Sequence, residues 1–281
     1  MGKVKSSLRS LGKVPVVGRV LLGLFRLKIG LSPVLGTLKE LLPWLVRSRE
    51  YTNFTYDLTD LNKEYLASFV AAVTGTDRNT ALRYIQELEE DDVLRSHIDE
   101  RTQASGERHF ADRRISYGKR LGWYAIARIV KPRVVVETGV EKGLGACVLA
   151  AALLRNKDEG FPGNYYGTDI QPRAGYLLQG KYADVGRILY GDSITSLETL
   201  DATLDLFIND SDHSSQYERR EYETIQHKLA EDAIIIGDNA HETRNLLDFA
   251  IETDRDFLFF QEKPYRHWYR GGGIGVAFRR A

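Results

Sequence analysis

The segment from Val134 to Leu154 constrains the fold more than any other. Val134, Val135 and Val136 are adjacent and β-branched, the pattern of a strand buried on both faces. Glu137, Thr138 and Gly139 follow, then a turn holding Gly143 and Gly145, then the apolar run Ala146 to Leu154, which reads as a helix. A strand, a glycine turn and a helix in that order form a nucleotide-type cradle. Glycine lets the backbone come close to a ligand, and the helix N-terminus offers free N–H groups. The spacing Glu-x-Gly-x-x-x-Gly is not the Gly-x-Gly-x-x-Gly of dinucleotide-binding folds.

From Val134 onward, strand and helix patterns alternate, the mark of a doubly wound parallel sheet. Strands are expected at residues 133–137, 164–169, 186–190, 204–209 and 232–237. The end differs. Residues 256–260 and 273–278 are strand-like with only a loop between them, so they pair as an antiparallel hairpin, because a parallel crossover needs a dozen or more residues. The expected fold is α/β: a Rossmann-like, seven-stranded, mostly parallel sheet with a C-terminal antiparallel hairpin, preceded by a helical N-terminal extension. Three parts are expected: a basic amphipathic extension over 1–50, a helical lead-in over 51–115 and a ligand-binding domain over 116–281. Within the lead-in, helices are expected at 62–73 and 79–90 and a loop at 103–112, and the acidic run Glu87 to Asp92 reads as a solvated face. A helix over 116–130 then leads to the first strand, with Pro132 as the break.

The formal net charge of zero hides an asymmetry. Residues 1–50 hold ten Lys or Arg and two acids, Glu40 and Glu50, leaving 29 basic and 37 acidic side chains for the rest. A basic front suits an anionic membrane surface, and no RNA-binding motif accompanies it, so no nucleic acid is expected. Arg19, Arg26 and Lys28 interrupt the apolar stretch that begins at Val14, and no run reaches the roughly 18–20 apolar residues of a transmembrane helix. Ser32 and Pro33 read as the start of a second helical segment, and Pro43 as its end or kink. Two readings stay open for residues 1–50: peripheral membrane contact, or a helical arm packing on the protein or on a second copy in a homo-oligomer. The single cysteine, Cys147, excludes an intramolecular disulfide and reads as a buried packing thiol. A cytoplasmic protein is expected, peripheral at the inner membrane face if the front binds lipid.

Ligands of such sheets bind at the carboxyl ends of the strands. The first ends in Glu137, Thr138 and Gly139. The second ends in Asp169, about thirty residues later, and the third runs into Gly191, Asp192 and Ser193. This series resembles class I S-adenosylmethionine-dependent methyltransferases. The resemblance implies that Glu137, Thr138, Gly139 and Gly143 hold the methionine and ribose end of S-adenosylmethionine, that Asp169 accepts the ribose hydroxyls, and that Gly191, Asp192 and Ser193 border the adenine. Asp192 also reads as a helix cap.

The fourth and fifth strand ends gather Asn209, Asp210, Asp212 and His213, then Asp238, Asn239 and His241. Oxygen ligands of this kind suit Mg²⁺. The Asp238-Asn239 pair resembles metal-dependent O-methyltransferases of the catechol type, and Phe207 to His213 with Gly272 to Val276 is similar to the macrocin-O-methyltransferase-like branch. That resemblance implies Asp210, Asp238 and Asn239 as metal ligands. An ungapped reading puts Asn209 in the place of Asp210. The competing readings are that Asp210 and Asp212 cap the next helix, or that Asp238 orients substrate without a metal. His213 is the first candidate for a general base and His241 the second. Tyr265, Trp268 and Tyr269 are candidates for lining an acceptor pocket. The implied reaction is methylation of a hydroxyl on a sugar, glycosylated natural product or similar small molecule. A metal-independent O- or N-methyltransferase and a non-catalytic, membrane-associated adaptor are the alternatives.

Overall fold

A computed structural model describes residues 17–52, 54–212 and 214–280. The chain divides into two compact units, one of residues up to Ser48 with Arg266–Tyr269, the other of Arg49–Tyr265 with Arg270–Ala281.

In the first unit a single helix, α1, runs over Val17–Arg47 with Pro33 and Pro43 inside it. The expected break at Ser32-Pro33 is absent. The carbonyls that Pro33 and Pro43 leave without an amide partner belong to Ile29 and Lys39, both exposed, so water can satisfy them. Continuity makes α1 long and apolar enough, by length and composition alone, to cross a membrane, while its charged residues still break every apolar run short of the roughly 18–20 residues expected of a span. Val20, Leu24, Leu27, Leu31, Val34, Leu38 and Leu45 are all exposed along it. Near its end Trp44 meets His267 and Trp268 edge-on, with ring centroids 5.9 and 5.3 Å away.

The second unit opens with three helices, α2 (Asp60–Thr74), α3 (Arg78–Glu89) and α4 (Asp92–Ala104). Thr59, Asp77 and Asp91 cap them through side-chain oxygens that accept backbone N–H groups. The stretch expected as a loop over 103–112 contains the end of α4 and a 3₁₀ turn at Gly106–Phe110. These helices pack in the same compact unit as the sheet. Glu87 and Asp91 are not merely solvated. α3 lies against α5 (Arg120–Val130), so Glu87 accepts from the Tyr124 hydroxyl and Arg128 Nε at 2.6 and 2.8 Å, and Asp91 accepts from Arg155 at 2.8 Å.

The sheet comprises β1 (Val134–Thr138), β2 (Asn164–Asp169), β3 (Gly186–Tyr190), β4 (Leu204–Asn209), β5 (Leu229–Gly237), β6 (Asp256–Phe260) and β7 (Ile274–Phe278). Its order is β3-β2-β1-β4-β5-β7-β6. β1 to β5 are parallel, and β7 runs antiparallel between β5 and β6. The expected architecture is thus the observed one. α6 (Leu144–Asp158), α7 (Ser193–Thr199), α8 (Ser215–Ile225) and α9 (Asn245–Glu252) complete it.

Register explains why the central strands are apolar on both sides. Val136, Phe207, Ile235 and Ala277 lie in one row across the sheet and join a core with Tyr222 of α8 and Phe249 of α9. Val135, Leu206 and Ile234 form the neighbouring row and pack into the core that holds Trp123 of α5 and Leu149 of α6. Fully burying one such side chain contributes about 1.5–3 kcal/mol, so a polar residue in either row would be selected against by packing alone. Cys147 is buried in α6, where burial pushes its thiol pKa up. The carboxyl ends of the five parallel strands share one edge, and the candidate site lies there.

Candidate functional site

The turn after β1 is shaped by close backbone approach. Gly139 has φ +81°, and a Cβ on it would lie 2.0 Å from the Asp210 carbonyl oxygen. No other residue fits. Gly143 has φ +95° and starts α6, its Cα side facing the Gly175 backbone at a distance that leaves a Cβ only 3.0 Å. Asp169, at the end of β2, holds this turn: one carboxylate oxygen accepts the N–H groups of Val140 and Glu141 at 3.1 and 2.8 Å, the other that of Gln171 at 2.8 Å.

A cavity of about 510 Å³ opens at these strand ends. Gly139, Val140 and Glu141 line it from β1, Thr168 to Gln171 from β2, Gly191 to Ser193 from β3, and Asp210 to Asp212 from β4; Arg120 and Tyr217 close it. Five of the eight residues expected at the cofactor, Gly139, Asp169, Gly191, Asp192 and Ser193, therefore come together around one space.

Asp192 both caps and lines. Its Oδ2 accepts Thr195 N–H at 2.9 Å at the start of α7, and its Oδ1 accepts the Tyr217 hydroxyl at 2.6 Å. That Tyr217 bond and the Thr195 amide hold the carboxyl below its ordinary pKa, so it is an anion at neutral pH. Beneath it lies Glu221 of α8, fully buried, which accepts from Thr138 Oγ1 at 3.0 Å, from Ser211 Oγ at 2.8 Å, and from Ser193 Oγ and Asn209 Nδ2. Burial pushes the Glu221 carboxyl up to about 6, against these bonds, which lower it. The network ties the ends of β1, β3 and β4 to one helix.

Glu137, Thr138 and Gly143 do not line the cavity. Glu137 turns inward beneath α6, where the Tyr165 hydroxyl donates to it. Its side chain sits where a Cβ on Gly145 would fall, 2.2 Å from Oε1. Burial pushes its carboxyl up to about 8. Thr138 spends its hydroxyl on Glu221.

At the β4 and β5 ends, Asn209 is buried and donates its amide N–H to Glu221, and it does not line the cavity as Asp210 does. Asp210 lines the cavity with Arg120 Nη2 4.0 Å away. Asp238 is buried in an ion pair with Lys119, the residue just before α5. Burial lowers the Lys119 pKa from the ordinary lysine value, and the nearby Asp210 carboxylate opposes that shift. Asn239 is buried. His241 packs on the Gly272 backbone, with Nδ1 3.2 Å from the Asp238 carbonyl oxygen. His213 lies outside the described residues. Among the described residues, no three His, Cys, Asp or Glu side chains gather as a metal site. The donor set at Asp210 and Asp238 does not fit a divalent ion, because each carboxylate already faces a cation of the chain. Among Tyr265, Trp268 and Tyr269, none lines the cavity, and within the first unit Trp268 stacks on His267 and meets Trp44 edge-on.

Sequence reasoning did not find Arg120, Lys119, Tyr217 or Glu221. No motif surrounds them, and they reach the site from α5 and α8 only through packing.

Residues 136–240 match the family model described as a methyltransferase domain. No curated protein matched the chain. Among solved structures, similar ones include an SAH-bound methyltransferase of Podospora anserina, 17% identical, covering 68% of this chain and 88% of that chain with a TM-score of 0.47. The O-methyltransferase TomG of Streptomyces achromogenes, in complex with SAM, is 14% identical over 66% of this chain and 90% of that chain, with a TM-score of 0.48. An O-methyltransferase of Bacillus cereus in complex with SAH is 14% identical over 66% and 91%, with a TM-score of 0.47. The family match spans Val136 to Ala240, the stretch that holds every strand end around the cavity.

Proposed function

We propose that this protein is an S-adenosylmethionine-dependent methyltransferase that methylates a hydroxyl of a small molecule such as a sugar or a glycosylated natural product. The observation that carries the reading is the convergence of Gly139, Asp169 and Asp192 from three successive strand ends on one cavity, and the methyltransferase-domain match over the same residues supports it. Gly139 keeps the floor free of any side chain. Asp169 has given three of its roughly four acceptor positions to backbone N–H groups, which fixes its orientation and leaves capacity for a ribose hydroxyl. Asp192, fixed as an anion by Tyr217 and Thr195, borders the adenine end. The cofactor supplies an electrophilic methyl group, so the main task of the chain is to align the acceptor oxygen. His213 is the proposed proton acceptor on sequence grounds.

Calorimetric titration with S-adenosylhomocysteine, with NADH as control, tests this. Micromolar binding, worth about 8 kcal/mol, is expected for the homocysteine compound only. Gly139→Ala should abolish it, since the new Cβ falls on the Asp210 carbonyl oxygen. A folded wild-type protein that binds neither compound would overturn the proposal.

We also propose that α1 rests on an anionic lipid surface. Its exposed apolar residues, and the excess of ten basic over two acidic side chains in residues 1–50, support this reading.

A further inference from the structure

We infer that Lys119 is a built-in cation at the strand ends where metal-dependent relatives of this fold would hold a divalent ion, and that this site works without one. The inference rests on the methyltransferase reading only in naming this the acceptor end. The ion pair itself is independent of that reading.

Lys119 and Arg120 are consecutive residues at the start of α5, and each serves a different strand. The Lys119 ammonium pairs with Asp238 after β5, and the Arg120 guanidinium approaches Asp210 after β4. Neither contact is a surface pair: the side chains of Lys119 and Asp238 are 15% and 11% exposed. The two cations are held from behind, both lying over the Trp123 ring, at 6.0 and 5.3 Å from its centroid. Glu262, also buried, accepts the Tyr56 hydroxyl at 2.9 Å and the Gly273 N–H at 3.1 Å through one carboxylate oxygen, and its charge favours the Lys119 ammonium. Mg²⁺ needs near-octahedral oxygen ligation at roughly 2.0–2.1 Å. An ammonium and a dication sharing one buried carboxylate repel each other strongly in a poorly screened setting. The ammonium therefore neutralises Asp238 and fixes its position, the two services a metal would provide there.

The test is Mn²⁺ binding, followed by electron paramagnetic resonance on the full chain, with S-adenosylhomocysteine titration of the same samples. Wild type should bind Mn²⁺ at this site only weakly. Lys119→Ala, which removes the cation and opens space, should bind Mn²⁺ at least about tenfold more tightly than wild type, a change of ~1.4 kcal/mol. The gain should disappear in Lys119→Ala/Asp238→Asn. Should Lys119→Ala fail to fold, Lys119→Gln, neutral and closer in size, is read in the same way. Tight Mn²⁺ binding by wild type that Asp238→Asn removes would overturn the inference. So would a Lys119 variant that binds the homocysteine compound yet gains no Mn²⁺. Failure of wild type to bind the homocysteine compound would remove the methyltransferase reading and leave the Mn²⁺ comparison intact.

Discussion

At the scale of single residues, Glu137 makes the sharpest prediction. Its carboxyl is buried beside Tyr165 of β2, Cys147 of α6, Arg120 of α5, and the Asp169 and Asp210 carboxylates, and burial raises it to about 8. In the unfolded chain it titrates near its ordinary value of 4.5. Between those two values the folded protein holds a proton that the unfolded chain has lost. Stability from this group is complete below the lower value and is lost as pH rises through the upper one, by up to about 1.4 kcal/mol per pH unit. Urea unfolding at about pH 6 and about pH 8 should show wild type losing ~2 kcal/mol more than Glu137→Gln across that step. Glu221, raised to about 6, titrates in both proteins and cancels in the difference. Equal losses in the two proteins would mean that Glu137 is already ionised in the fold. The resemblance of the acid and glycine turn to class I methyltransferases placed Glu137 at the cofactor. Gly145 opens a space beneath α6 that takes the side chain inward instead, and only the helix–strand packing reveals it. Asp192 was legible as a cap because its bond to the Thr195 N–H is local, whereas its bond to Tyr217 and those of Asp169 to Val140 and Glu141 arise only in the fold.

Among the elements, α4 shows how local and long-range contacts combine. Asp91 caps it, accepting Leu94 N–H at 2.8 Å, and the same carboxylate accepts Arg155 of α6 at 2.8 Å. Asp91→Ala should cost about 1–3 kcal/mol, the sum of a lost cap and a lost charged partner in a partly buried place. Asp91→Asn keeps a capping oxygen and should lose less. Thermal unfolding ranks the three proteins, and amide exchange should quicken first in α4. If alanine and asparagine destabilise equally, the cap contributes nothing. The same run explains what a sequence reading sees of elements. Strand positions and the final hairpin follow from β-branched runs and the length between them, and both were legible. Glu87 and Asp91 read as solvated because a charge run carries no sign of the arginines that α5 and α6 bring to it. α1 read as two pieces because Pro33 was weighed by its local cost, whereas an exposed helix lets water satisfy the freed carbonyl.

For the molecule as a whole, charge and hydropathy are segregated along the chain. α1 carries Arg19, Arg26, Lys28, Lys39 and Arg47 against Glu40 alone, and most of its exposed apolar residues, from Val20, Leu24 and Leu27 to Leu38, Leu42 and Leu45, recur three or four apart. Only ten residues separate Lys28 from Lys39, too few for an uncharged span of a bilayer at 1.5 Å per residue. An orientation in the plane of the interface satisfies both features: leucines enter the acyl boundary while the arginines and lysines stay at the headgroups. Each basic group near an anionic surface adds about 1 kcal/mol, and the attraction fades when salt shortens the screening length. The full chain should therefore float with phosphatidylserine-containing vesicles, less with neutral ones, and less again at high salt. Removing residues 1–48 should abolish flotation and leave binding of S-adenosylhomocysteine intact, since every residue lining the cavity lies in the other unit. Flotation that survives the deletion would place the lipid contact elsewhere. A chain that ignores vesicles but associates with itself, and becomes monomeric on deletion, would assign the apolar stripe of α1 to a second copy of the protein rather than to lipid.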